Sequence, residues 1–325
     1  MTIRRRPLLL AALVPPGAAS AQPAPRWRPD RPIRAVVPFA PGGLADLMAR
    51  LVAEPASVLL GQPVAVENRT GGAAGLIGTD TAAKAPPDGY TILINSSAHA
   101  IAPALVARMP YDVVRDFAGV ALLGGAPMVL VCHPGVPART MAELLALLRA
   151  NPMRYNFAGA GIGSTVHLTG EVFRAAAGVR IQFVHYRGGG PALQAVMNGE
   201  AHLTGVSTAE ALGQVRSGAV RALAVSVPAR SPVLPEVPTS AEAGVPGFQQ
   251  DIWIVAAAPA RTPPAVVASL NAAFNAAARQ IEPRLTELGL RIKFEVATPE
   301  QVDAFIRAEL DRYAAVLRAA GVRPE

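Results

Sequence analysis

Ile33-Arg-Ala-Val-Val-Pro-Phe-Ala-Pro-Gly-Gly-Leu-Ala-Asp46 is the stretch whose reading decides the fold. Val36, Val37 and Phe39 read as a short buried strand, whereas Leu47, Leu51 and Val52 recur afterwards at helical spacing, with Ala45 and Ala49 on the same face. Gly42 and Gly43 therefore fall at a helix N-terminus. Glycine there lets a ligand approach the main chain, and the unpaired first-turn N–H groups together with the helix dipole favour a carboxylate or phosphate. The same residues also fit a plain strand-to-helix connection with Asp46 as its first-turn acid.

Upstream, Arg4-Arg5-Arg6, the apolar residues 8–14 and Ala19-Ser20-Ala21 have the three-part layout of an export leader cleaved after Ala21. The apolar run is too short to span a membrane, so a soluble exported protein is expected in the periplasm, by either of two export routes. Without residues 1–21 the chain keeps 304 of its 325 residues, which suggests two domains at about 150 residues each. The leader carries three of the positive charges, which reduces the formal net charge from +7 to +4. That is too small and too evenly spread for a nucleic-acid partner, and suits small anionic ligands instead. Cys132 is the only cysteine, so no internal disulfide holds the fold, and it is expected as a buried apolar side chain in a strand.

The rest of the chain alternates. Residues 63–67 read as a second strand, followed by the glycine cluster 71–78, which lacks dinucleotide spacing and a Walker lysine and is read as a tight turn into a helix over 77–85. A strand over 90–95 ends in Ser96, Ser97 and His99, either groups facing a ligand at a strand's C-terminal end or caps of a short helix near 103–106. Two strands are predicted over 117–123 and 127–132, then a Thr140-x-x-Glu143 capping box opening a helix. Strands over 155–158, 181–186, 202–206 and 221–227 alternate with helices over 165–177, 191–198 and 209–217, which predicts an α/β fold of mostly parallel sheets covered by helices. A proline-rich passage leads to a strand over 251–256 and helices over 264–279, 283–288 and 299–320.

Three catalytic patterns can be weighed. Gly159-x-Gly161-x-x-Ser164 follows a strand, but His185-Tyr186-Arg187 stands where a dinucleotide site wants an acid, so no nucleotide cofactor is expected. Gly205-Val-Ser207-Thr-Ala209 resembles a nucleophile elbow, yet no histidine follows it, and Ser207 is read as a cleft hydroxyl or N-cap. His167 and Glu171 share a helix face without a third ligand, so no metal is expected. Instead Ser164 and Thr165 cap a helix close to His167, which makes residues 159–167 a second anion-receiving turn like residues 41–46.

The motifs together resemble the Bug receptors, the substrate-binding proteins of tripartite tricarboxylate transporters. The matching pieces are Pro32 to Gly43, Val66-Glu-Asn-Arg69, Pro87-Asp-Gly-Tyr90, Pro110-Tyr-Asp112 with Asp116-Phe117, Ser164-Thr-Val-His-Leu168, Tyr186-Arg-Gly188, Arg221-Ala-Leu-Ala224, and Pro238-Thr with Glu242-Ala-Gly244. The resemblance implies a two-domain, type II-like periplasmic-binding-protein fold. One domain would be residues 30–127 with 251–325 and the other residues 128–250, with a ligand cleft between them.

It further implies no catalysis: a monomer that captures a small carboxylate, closes over it and passes it to the membrane components of the transporter. The alternative is an exported enzyme on the same fold. In the family the carboxylate is gripped by loops corresponding here to Phe39, Ala40, Gly42, Gly43, Ala45 and Asp46, and to Gly161, Ser164, Thr165 and His167, partly through water. Ser96, Ser97, His99, Val206 and Ser207 complete the candidate ligand-binding set. Many family members carry Asp where this chain has Val206, so a ligand without an amino group is expected: a di- or tricarboxylate, or an aromatic acid near Phe39.

Overall fold

Residues 27–291 and 297–319 are described by the computed structural model, which leaves the leader and its cleavage site outside the described residues. Ile33–Val37 (β1) is buried along almost its whole length, as a strand covered on both faces requires. It turns through residues 38–43 into Leu44–Leu60 (α1). That helix stops at Gly61, whose left-handed φ of 73° lets its N–H reach back to the Ser57 carbonyl. Val64–Asn68 (β2), Leu76–Ala83 (α2), Thr91–Ser96 (β3), Ala98–Leu105 (α3) and Phe117–Cys132 (β4) follow. Next come Met141–Ala150 (α4), Asn156–Gly159 (β5), Thr165–Ala177 (α5), Gln182–His185 (β6), Gly189–Met197 (α6), Leu203–Ser207 (β7), Thr208–Arg216 (α7) and Arg221–Val225 (β8). The chain ends through Asp251–Pro259 (β9), Pro264–Gln280 (α8), Glu282–Glu287 (α9) and Pro299–Ala319 (α10).

The strands lie in the order β2-β1-β3-β9-β4-β7-β5-β6, with β8 also on β4. Parallel pairing holds among β1, β2 and β3 and among β5, β6 and β7, while every pairing of β4 and β9 is antiparallel. The mostly parallel expectation thus holds within each end of the sheet and gives way in the middle. The reason is the long β4, whose first part, Phe117 to Pro127, pairs with β9, and whose last part, Met128 to Cys132, pairs with β7 and β8. The chain returns at Gln250, whose N–H donates to the Ser226 carbonyl at 2.9 Å, while the Ser226 N–H donates to Met128 at 2.8 Å. We call the β2-β1-β3-β9 side the first half and the β7-β5-β6 side, with β8, the second.

The two strands expected over 117–123 and 127–132 are one. Gly124 between them takes a φ of 144° and the register against β9 shifts between Leu122 and Gly124, so the ladder bends through a bulge without stopping. The helix expected near 103–106 begins earlier, at Ala98, and carries Pro103 inside it. Cys132 is free and fully buried, and burial raises its thiol pKa. Helix caps follow the sequence: Thr140 accepts from the Glu143 N–H at 3.2 Å, and Thr298 from the Gln301 N–H at 3.3 Å.

Candidate functional site

The two anion-receiving turns come from opposite halves and meet. Gly43 caps α1 with φ −86° and Ser164 caps α5, its hydroxyl accepting the His167 N–H at 3.1 Å. Where β3 ends, the Ser97 hydroxyl lies 2.8 Å from the Thr165 hydroxyl and Ser96 lies 3.4 Å from it, joining the first half to the second. A second bridge is the Ala40 N–H donating to the Arg187 carbonyl at 3.1 Å. The halves are therefore closed on each other.

Two of the spaces between them border these turns. The inner one, 30 Å³, has Phe39, Gly43, Ala45, Ser96, Ser164 and Thr165 in its wall with Gly189, Glu210 and Ile252. It is room for about one water. The outer one, 520 Å³, shares Phe39 and is bounded by Thr70 to Ala73 and Gly75 on one side and by Ala160 to Ile162 and His185 to Arg187 on the other. Its size suits a small ligand. A larger depression of 730 Å³, with Arg139, Arg221 and Glu242 in its wall, lies in the second half and shares no residue with either turn.

Several sequence candidates sit beside these spaces without lining them. Gly42 needs its glycine for a φ of 88°, but its N–H is spent on Asp46 Oδ2 at 3.1 Å. Asp46 is buried, and burial pushes its carboxyl pKa up; hydrogen bonds from Arg50, the Gly42 N–H and Asn68 outweigh this and leave it lowered. Asp46 thus braces the α1 turn. His167 is equally internal: Nδ1 accepts the Gly163 N–H at 3.2 Å, Nε2 lies 3.7 Å from Glu171, and Glu171 is claimed by Arg174 at 2.6 Å. No cluster of three metal-ligating side chains forms among the described residues.

His99 is fully buried, edge-on to Phe117 at 5.0 Å, with neither ring nitrogen hydrogen-bonded; burial lowers its pKa to about 4 and keeps it neutral. Val206 is buried in β7 opposite Val129 and lines neither space. Ser207 is the N-cap of α7, its hydroxyl accepting the Glu210 N–H at 3.2 Å while Glu210 accepts the Ser207 N–H at 3.0 Å. Glu210, in the first turn of α7, borders the inner space beside them. Burial raises the Glu210 pKa, opposed by the Ser207 and Leu44 hydrogen bonds.

Sequence reasoning named half of this wall. It missed Glu210, whose signal was present as Ser207-Thr-Ala-Glu210, a capping-box spacing that brings an acid to a strand's C-terminal end. Of the outer wall it named only Phe39 and Gly161. The Gly71-Gly72 cluster was read only as a turn, and its closeness to residues 160–162 is a long-range contact that no local pattern carries.

The family model described as "Tripartite tricarboxylate transporter family receptor" matches residues 48–322. Protein BugT of Bordetella pertussis is 38% identical over 300 residues, covering 91% of each chain. Among solved structures, the periplasmic binding protein BugD superposes with a TM-score of 0.87 at 34% identity, covering 91% of this chain and all of that one. MatC of Rhodopseudomonas palustris, solved with bound malate, gives 0.86 at 34% identity over 89% of this chain and 99% of its own. With matches along almost its whole length and a cleft built from both halves of the sheet, the chain belongs to the tripartite tricarboxylate transporter receptor family, the Bug receptors.

Proposed function

We propose that this protein is a periplasmic receptor that captures a small carboxylate between its two halves and delivers it to the membrane components of a tripartite tricarboxylate-type transporter. The observation that carries this reading is the meeting of the α1 and α5 turns from opposite halves, two helix N-termini of the kind that favour an anion. The malate held by MatC supports the same ligand class. Residues 30–127 with 251–325 would move as one lobe and residues 128–250 as the other, bending where β4 and the 250–251 segment pass between them. Closure of this kind is a hinge motion about a few strand residues. The receptor acts as a monomer, is exported by cleavage after Ala21, and performs no chemistry on its ligand.

The charge requirement is testable by calorimetry of carboxylic acids beside their primary amides. An acid is expected to bind at least about tenfold more tightly than its amide, since hydrogen bonds to a charged group contribute about 1.5–3 kcal/mol. Equal affinity for acid and amide would remove the anion from the account.

A further inference from the structure

The inner space has room for about one water, so a carboxylate held between the halves at these turns finds its room in the outer space of 520 Å³. The first-half wall of that space, Pro38, Phe39, Thr70 to Ala73 and Gly75, carries no charged side chain. Arg69, the residue before Thr70, is spent on Glu67. In the second-half wall, the end of β6 brings His185, Tyr186 and Arg187 together. Partial burial and the neighbouring His167 lower the His185 pKa to about 4, so at neutral pH it is uncharged. Among the described residues of the wall, Arg187 therefore supplies the one permanent charge, and no Asp or Glu opposes it there.

Arg187 is exposed, and its guanidinium forms no ion pair among the described residues. Its main chain is what places it. The Arg187 carbonyl accepts the Ala40 N–H at 3.1 Å, and a Cβ on Gly188, the next residue, would stand 3.3 Å from the same Ala40 nitrogen. Closure of the halves thus holds Arg187 against the α1 turn, at the seam where the two walls meet. We propose that Arg187 is a specificity-determining residue: its guanidinium receives the ligand carboxylate in the outer space and so selects an acid over its neutral counterpart. The planar fork of arginine donates to both oxygens of a carboxylate. Such a pair contributes little when fully exposed to water. Between closed halves water is partly displaced, and the attraction strengthens as the local dielectric falls. This inference rests on the carboxylate-receptor reading and deepens it, by naming a charged partner that neither the α1 turn nor the α5 turn supplies.

The test is calorimetric titration of the wild-type protein, Arg187→Gln and Arg187→Lys with succinate, glutarate, adipate and benzoate beside their primary amides. Either substitution keeps the main-chain carbonyl that holds Ala40, and urea unfolding of the same preparations checks the fold. Arg187→Gln is expected to weaken the acids by about tenfold and to leave the amides within about twofold, so that the preference for acid over amide collapses. Arg187→Lys, which keeps the charge without the fork, is expected to fall between the wild type and Arg187→Gln. An acid-to-amide ratio unchanged in Arg187→Gln, or acids and amides weakened equally, would overturn the role of Arg187 while leaving the receptor reading intact. Failure of every acid to bind the wild type would overturn both.

Discussion

Valine at Gly190 is expected to weaken carboxylate binding by about tenfold to a hundredfold while leaving unfolding of the ligand-free protein nearly unchanged. Gly190 is the second residue of α6 in the second half and faces the α1 turn of the first. A Cβ there would stand 3.0 Å from the Gly42 carbonyl carbon, 3.1 Å from its oxygen and 3.1 Å from the Pro41 carbonyl oxygen. These are backbone atoms that cannot rotate away. An added side chain therefore overpacks the closed state by about 1–3 kcal/mol, which the protein relieves by staying open. Opening the cleft would part Gly190 from Gly42, so the cost is expected to fall on binding. Gly213→Ala is the control, since a Cβ at that helical position meets nothing within 4 Å. Calorimetry and urea unfolding on the same preparations separate the two effects. Unchanged affinity in Gly190→Val would mean that binding does not close the halves through this contact.

Trp253→Ala is expected to cost about 3–5 kcal/mol of unfolding free energy, the range for removing a fully buried aromatic side chain. Trp253 lies in β9 opposite Gly125 of β4, where the two long strands run together between the halves. It is fully buried, its ring edge-on to Phe305 at 5.1 Å, and its Nε1–H donates to the Glu309 carboxylate at 2.8 Å. Alanine leaves a void in the β9 to α10 packing and takes the indole donor from a buried carboxylate, two losses that add. Equilibrium unfolding in urea measures the change. A loss under about 1 kcal/mol would show that this junction repacks and does not anchor α10 to the sheet.

How much was legible in the sequence depended on the range of the interaction. The strand and helix of residues 33–60 were readable because strand burial, the glycine turn and helical spacing agree within one short stretch. The α5 turn was readable for the same reason, through Ser164 at the N-cap. The continuity of β4 was not, because a glycine pair marks a turn and a bulge equally well, and only the β9 partner decides between them. His99 and His167 were chosen for their chemistry, yet burial without a partner neutralises the first, and Gly163 and Glu171 enclose the second.

The Val206 argument was confined to one strand position. It compared one position and took the missing acid as a missing charge, whereas the cleft is a volume that α7 reaches as readily as β7. Glu210, one helical turn beyond the strand, puts its carboxylate into that volume. Cross-cleft neighbours such as Gly190 against Gly42, or Ala40 against Arg187, are equally invisible to local reasoning, because they depend on how two halves of a sheet fold toward each other.

The most direct test of the receptor account is the melting temperature of the purified protein across a library of aliphatic, hydroxy, amino and aromatic carboxylates. A ligand at 100 times its dissociation constant stabilises the folded state by about 2.7 kcal/mol, worth several degrees for a chain of this size. The account expects at least one carboxylate to raise the melting temperature by that amount and to be recovered unaltered after incubation. No shift from any carboxylate, or conversion of the one that binds, would contradict it.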